Sequence, residues 1–248
     1  MMKPFHLVYY VSMGCPSIEY SLQKAELYLK NGVKAIQFDL PSRNPYRENP
    51  PIRERMRRAL EVCPDYEKYL EALTAFRRQH PDFEMQMVSY EDVILTIGTL
   101  NYIRFCQQNG IRTCRIAGGP SFEIARKDMN AAGIDTLTFI DYDMKDEEIA
   151  FARETGRAVM LRNKRQGMSP RDNMTEWDER IRFLRERGIQ QPIYATAEMK
   201  CGSDIRQARK AGADGAFVGS CLMALWDDDE KLVDLIHDLM AGAREEGE

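Results

Sequence analysis

A single α/β domain folded as a (β/α)8 barrel (TIM barrel) is what this sequence predicts, on three observations. Short runs rich in β-branched and aromatic residues alternate with longer segments of helical apolar spacing along all 248 residues, the pattern of βα units that build a parallel sheet. Glycine stands one to three residues ahead of six of these runs, at Gly32, Gly110, Gly133, Gly156, Gly188 and Gly212, where a left-handed residue can end the preceding helix. There is no composition break, and no G-x-G-x-x-G follows the first run, so eight units with short connections favour a closed barrel over an open doubly wound sheet. With 44% hydrophobic residues the chain can bury one large core, and residues 1–248 are expected to form one domain.

The expected strands cover residues 5–12, 33–40, 83–90, 111–118, 135–141, 157–163, 191–198 and 214–219. Ser17, Ser121 and Thr175 are placed to cap the helices that follow them, with Glu19, Glu123 and Glu176 in the first turn near the positive helix end. An extra helix is expected between the second and third units, because residues 65–80 carry their own apolar face of Tyr69, Leu70, Leu73 and Phe76. The tail 243–248 is expected to fray.

Charge excludes some classes of partner. A net charge of −4 and a pI near 5.6 give no attraction toward nucleic acid or an anionic membrane, so a small-molecule or protein partner is expected. The first residues lack a signal-peptide apolar region, and no apolar run reaches spanning length. Six cysteines without a C-x-x-C pair fit reduced thiols, and the expected location is cytoplasmic. Only three histidines occur, at His6, His80 and His237, near strand starts or on the last helix, so neither histidine acid/base chemistry nor a zinc site is expected. Cys15, Cys201 and Cys221 follow strands one, seven and eight, but isolated cysteines are usually small buried apolar residues. No cofactor and no metal are expected.

One stretch is more specific than the rest: Ala35-Ile36-Gln37-Phe38-Asp39-Leu40-Pro41-Ser42-Arg43-Asn44-Pro45-Tyr46-Arg47-Glu48-Asn49-Pro50-Pro51-Ile52. It resembles the second strand and second loop of the alpha subunit of tryptophan synthase, which read approximately A-L-E-L-G-x-P-F-S-D-P-x-A-D-G-P-x-I. The likeness extends to Ser12-Met13-Gly14-Cys15-Pro16-Ser17 and to Ala211-Gly212-Ala213-Asp214-Gly215-Ala216-Phe217-Val218-Gly219-Ser220. The resemblance implies aldol-type cleavage of indole-glycerol phosphate, with indole passed to a beta subunit that carries pyridoxal phosphate.

The pocket departs from that pattern residue by residue. Gln37 stands in the slot of the family's catalytic glutamate and Glu48 in that of its catalytic aspartate. An amide cannot accept a proton near neutral pH, and losing a general base typically costs about 10²–10⁴ in rate. Strand alternation turns Ala35, Gln37 and Asp39 toward the barrel interior and Ile36, Phe38 and Leu40 toward the helices. Asp39, where the family has a small residue, then lies roughly 6.6 Å along the strand from Gln37. It is either a displaced acid/base group or merely paired with Arg43 or a backbone amide. Arg115 replaces a pocket leucine and argues for a more polar ligand, unless an acid such as Glu84 or Glu91 pairs with it. Tyr90 matches a pocket tyrosine, whereas Val159 and Ala197 replace aromatic residues.

For phosphate, the resemblance implies backbone contacts at Gly219 and Ser220. Lys164 and Arg165 stand in place of a glycine- and serine-rich sixth loop, and Glu198 would need Lys200 as a partner to avoid repelling an anion. Arginines 43, 47, 53, 55, 57 and 58 form either a solvated face or a cationic rim.

These residues predict a divergent alpha-subunit-like barrel that binds a small anionic ligand, phosphorylated or carboxylated, at the C-terminal mouth. Catalytic candidates are Glu48, Asp39 and Gln37; ligand-binding candidates are Gly219, Ser220, Tyr90, Arg115, Lys164 and Arg165. If active it would be a carbon–carbon lyase with cleavage of indole-glycerol phosphate weak or lost, and a beta-subunit-like protein is a candidate partner. The alternative is a non-catalytic relative that binds a ligand or modulates a partner enzyme.

Overall fold

The computed structural model describes residues 4–45, 48–117, 122–164 and 167–244. Two compact units are formed, Tyr9–Thr136 and the combination of Met1–Val8 with Leu137–Glu248.

In the unit Tyr9–Thr136, β1 (His6–Val11) contributes its second half, and β2 (Ala35–Asp39), β3 (Glu84–Tyr90), β4 (Thr113–Ala117) and β5 (Asp135–Thr136) follow in parallel, each paired with the strand before it. All five residues of β2 are buried, as expected of a parallel strand covered on both faces. Phe38 makes edge-to-face contacts with Phe76 and Phe83 at 5.9 and 6.4 Å between ring centroids, so the odd-numbered residues of β2 are left for the opposite face.

The connecting helices carry their own start signals. For α1 (Ile18–Lys30), the Ser17 side chain accepts from the Tyr20 amide; for α2 (Pro50–Val62), Asn49 accepts from the Ile52 amide, with proline in the first turn where no donor is needed. The extra helix is present as α3 (Tyr66–Gln79), capped by Asp65 and buried through Tyr66, Tyr69, Leu73 and Phe76. Between β3 and β4 the chain forms α4 (Glu91–Ile97) and α5 (Thr99–Gln108). Gly98, at φ +87°, makes the break between them, a division that the continuous apolar spacing conceals. The helix α6 is Glu123–Ala131; its expected cap, Ser121, lies outside the described residues.

In the second unit β6 (Thr138–Ile140), β7 (Val159–Arg162), β8 (Ile193–Thr196) and β9 (Gly215–Val218) pair in parallel in that order, and the His6 amide donates to the Asp214 carbonyl at 3.0 Å. Between them run α7 (Asp146–Thr155), α8 (Trp177–Glu186) and α9 (Gly202–Lys210); α10 (Ser220–Met223) and α11 (Asp229–Ala243) follow β9. Thr175 is not the cap of α8. Glu176 is, because its carboxylate and that of Glu179 form a reciprocal capping box. The tail 245–248 lies outside the described residues, and α11 extends to Ala243.

Every expected strand is present within two residues of its expected ends, except that the fifth is divided into β5 and β6 about Leu137. All six glycines ahead of strands have positive φ; at Gly156 the left-handed conformation is the C-cap of α7 itself. Parallel strands alternating with helices through eight βα units are the (β/α)8 fold.

Gly215 is held by close approach rather than by φ. An added Cβ would stand 2.2 Å from the His6 carbonyl oxygen and 2.6 Å from the Tyr194 ring. Gly215→Ala is therefore expected to cost about 1–3 kcal/mol through overpacking. Urea unfolding should show the midpoint falling at constant slope; an unchanged midpoint would mean that β9 can shift freely.

Candidate functional site

Strand register assembles a polar cluster in the unit Tyr9–Thr136. Tyr10 is opposite Gln37 and Gln37 opposite Gln86; one layer further along, Asp39 is opposite Val88 and Val88 opposite Arg115. Alternation places Gln37 and Asp39 on one face of β2, as the sequence predicts. Gln37, Asp39, Gln86 and Ser12 are all buried, with Asp39 at 0% exposure.

Asp39 accepts hydrogen bonds from the Tyr10 hydroxyl, the Ser12 hydroxyl (3.2 Å) and the Met13 amide (2.7 Å). Of the two simple roles the sequence allows, a backbone amide is one of its partners, but the two hydroxyls add a network that β1 supplies. Burial pushes the Asp39 carboxyl up to about 6; the bonds from Tyr10, Met13 and Ser12 pull it down, and the nearby Glu48 charge adds to the rise. Burial likewise pushes the Tyr10 phenol well above its ordinary value, with the Asp39 charge in the same direction, so Tyr10 stays protonated.

Glu48 is engaged differently. Its Oε1 accepts from the Tyr90 hydroxyl at 3.0 Å and from Arg115 Nη1 at 2.9 Å. The side chains of Arg115 and Glu48 are 14% and 11% exposed, so the pair is largely desolvated. Arg115 thus finds its carboxylate on the loop after β2 rather than at Glu84 or Glu91. Glu84 instead accepts from the Gln86 amide at 2.6 Å. Burial opposes the charged form of Arg115, but Glu48 and Tyr90 outweigh it and hold the guanidinium above its ordinary range. Gln37 donates to Gln86 at 3.4 Å, a long and weak bond between two groups that cannot ionise.

Next to Tyr90 lies a cavity of about 230 Å³ lined by Asn44, Tyr90, Glu91, Asp92, Leu95 and Ala117. Asp92 fastens one wall of it, accepting from the Ser42 hydroxyl at 2.7 Å and the Arg43 amide at 2.8 Å. Three of the sequence's rim arginines have specific partners instead of a common role: Arg53 donates to the Glu48 carbonyl at 2.7 Å, Arg55 donates to the Cys15 carbonyl at 2.7 Å, and Arg57 pairs with Glu54 and Glu61 on an exposed face. Arg47 lies outside the described residues.

The other unit carries the phosphate candidates. Gly219 precedes α10, which is only four residues long, so an anion there would meet individual backbone amides and little helix dipole. Lys164 is exposed, and Arg165 lies outside the described residues. Glu198 is paired with Lys200, and Ala197 and Glu198 have φ of +64° and +58°, a conformation costly for residues other than glycine. Cys201 bonds within its own turn and Cys221 donates to the Met199 carbonyl at 3.3 Å. Among the described residues no three His, Cys, Asp or Glu side chains are grouped as metal ligands.

Two residues of note were not singled out by the sequence. Tyr10 could have been found by extending the strand alternation to β1, where it shares a face with Ser12. Arg180 is fully buried on α8; its Nη2 donates to the Arg162 carbonyl at 2.6 Å, while Nε and Nη1 have no hydrogen-bond partner among the described residues. The rings of Tyr142 and Trp177 flank it at 4.8 and 5.4 Å, and burial pushes its pKa down to about 10. Its position three residues after Trp177 and one before Ile181, on an apolar stripe, was the available signal.

Among solved structures, one from Aquifex aeolicus VF5 superposes with a TM-score of 0.85 at 22% identity, covering 98% of this chain and 94% of that one. The tryptophan synthase complex from Pyrococcus furiosus gives a TM-score of 0.80 at 19% identity over 97% and 99% of the two chains. At these identities the likeness carries the fold. In sequence, the tryptophan synthase alpha chain of Francisella tularensis subsp. tularensis (strain FSC 198) is 24% identical over 224 residues, 87% of this chain and 81% of the relative. The family model described as tryptophan synthase alpha chain matches residues 3–242. With nearly the whole chain matched, the protein belongs to the tryptophan synthase alpha chain family.

Proposed function

We propose that this family member binds a small anionic ligand at the cluster of Asp39, Arg115, Tyr90 and Glu48, and that Asp39 is its proton carrier. The observation that carries this reading is the buried Asp39 carboxyl, raised to about 6 and held by Tyr10, Ser12 and the Met13 amide. A group poised near the working pH can take up and return a proton, which is what acid/base catalysis requires. Glu48 is committed to an ion pair with Arg115, so of the two candidate carboxylates Asp39 is the better suited to that exchange. Gln37 holds Gln86 and positions a ligand without accepting its proton.

Cleavage of indole-glycerol phosphate, the reaction the resemblance implies, is then weak or lost. A contact for phosphate at Gly219, Ser220 and Lys164 is a separate proposal, resting on the family resemblance. So is pairing with a beta-subunit-like protein, for which a complex such as that of the Pyrococcus furiosus enzyme is the precedent. The non-catalytic alternative is favoured by one observation, the mutual bonding of Gln37 and Gln86 where a base would stand.

Indole release from indole-glycerol phosphate by the purified protein tests the loss. It is expected to run at least about 10²-fold slower than in a relative with the strand-two glutamate; release at a comparable rate would overturn the reading. Proton handling is tested on the ligand-free protein. The carboxyl resonance of Asp39 should titrate near pH 6, and titration near 4 would remove the basis for its role.

A further inference from the structure

The Arg115–Glu48 pair specifies more than an anionic ligand. Arg115 is on β4 and Glu48 is on the loop that follows β2, 67 residues earlier in the chain. Its carboxylate is shared by two converging donors, a guanidinium Nη1 at 2.9 Å and a phenolic hydroxyl at 3.0 Å. Both donors converge on one oxygen, Oε1, and such a cradle fits a carboxylate, because a charged guanidinium N–H and a phenolic hydroxyl together satisfy an anionic oxygen. We propose that Arg115 and Tyr90 form the receptor for a ligand carboxylate, and that Glu48 occupies this receptor as an intramolecular stand-in which the ligand displaces. This inference rests on the reading of the cluster as a ligand site.

The energetics favour exchange over simple opening. A buried guanidinium left without a counter-charge is strongly destabilised, so Glu48 does not leave Arg115 unless another anion takes its place. A ligand carboxylate restores both the charge balance and the hydrogen bonds, and Glu48 regains water in return. The net cost of the swap is small compared with either step alone.

Tyr90 belongs both to the receptor and to the adjacent cavity, which Arg115 and Glu48 do not line, and the rest of the ligand is placed there. At about 230 Å³ the cavity has room to spare for a small acid, a single water filling only about 30 Å³. Leu95 and Ala117 supply apolar wall, whereas Asn44, Glu91 and Asp92 supply acceptors, two of them acidic. Those carboxylates disfavour a second anionic group and favour a hydroxyl or ammonium group. The ligand class is therefore a small monocarboxylate bearing a hydrogen-bond donor, such as a hydroxy acid or an amino acid, rather than a bis-anionic phosphate.

The test uses acetate, glycolate and inorganic phosphate as probes of the full chain, with binding read from concentration-dependent melting shifts and from NMR shifts at Tyr90. Binding in the millimolar range is expected for acetate, tighter for glycolate, and at least tenfold weaker for phosphate. Glu48→Gln weakens the competitor and should tighten acetate about tenfold. Arg115→Met should abolish binding, and Arg115→Lys, which keeps the charge without the fork, should weaken it at least tenfold. Circular dichroism verifies that each variant is folded; should Arg115→Met unfold, Arg115→Lys and Glu48→Gln decide the matter. Unchanged acetate affinity in Glu48→Gln, or phosphate binding tighter than glycolate, overturns the proposal. Neither result bears on the Asp39 titration of the ligand-free protein, so failure of this proposal is distinguishable from failure of the reading on which it rests.

Discussion

Asp39→Asn is expected to make the protein more stable near neutral pH while removing its capacity to exchange a proton. In the folded chain the Asp39 carboxyl is raised to about 6, whereas in the unfolded chain an aspartate titrates at about 3.9. The folded state thus binds this proton more tightly. The stabilisation is fully present below about 3.9 and is lost as pH rises through about 6. That difference corresponds to roughly 3 kcal/mol, the cost of keeping Asp39 ionised in its buried site at pH 7. Asparagine has no proton to lose and escapes that cost. Its carbonyl can still accept from the Met13 amide, but its amino group must find the Tyr10 or Ser12 oxygen as acceptor, which offsets part of the gain. A net stabilisation of about 1–2 kcal/mol remains, or a rise in Tm of roughly 2–8 °C for a domain of this size. Melting curves of both proteins from pH 4 to 8 give the answer: the gap should widen as pH rises toward 7, and a constant gap would mean that Asp39 does not titrate in this interval. A variant that gains stability and loses function marks a residue kept for chemistry at the expense of the fold.

Glu48→Ala is expected to act in the opposite direction. Arg115 is only 14% exposed, and removing its carboxylate leaves a largely desolvated guanidinium unpaired, at a cost of about 3–5 kcal/mol. Tyr90 loses its acceptor by the same change. Since domains are typically stable by about 5–15 kcal/mol, this single change removes a large share of the total. Removing both charges together, as in Glu48→Leu with Arg115→Met, should recover most of the loss, because two apolar side chains avoid the desolvation that the pair had to overcome. Urea unfolding of the two single variants and the double variant measures the coupling, expected to exceed about 1.5 kcal/mol. Additive losses would show that each side chain is anchored by other partners and that the contact is incidental.

Both predictions turn on residues that the sequence had singled out, yet for reasons that it could not supply. The inward direction of Gln37 and Asp39 followed from strand alternation alone, since one face of β2 is taken by Phe38 against Phe76 and Phe83. The elevated carboxyl of Asp39 did not follow, because it depends on how deeply β1 covers it and on the hydroxyls of Tyr10 and Ser12. For Arg115 the sequence left two readings open, a polar ligand or pairing with an acid such as Glu84 or Glu91; the partner came from a loop 67 residues away. Pairing over such distances is fixed by loop geometry, which local spacing does not encode.

Helix limits show the same division at smaller scale. Ser17 and Asn49 act as caps because a short side chain reaches the next free amides from its own backbone. Thr175 yields to Glu176 because the reciprocal bond with Glu179 satisfies two groups at once. The break at Gly98 was invisible in the apolar period, which continues through it from α4 into α5.

The sequence by itself determined the βα alternation, the positions of its strands to within about two residues, the family and the absence of an ionisable group at residue 37. These are properties of local pattern and of residue type, and they persist whatever the chain folds against. Only the tertiary structure decided that Asp39 is a buried carboxyl with three donors and that Glu48 neutralises Arg115. Desolvation and charge pairing are properties of the space around a group, and that space is filled by segments remote along the chain.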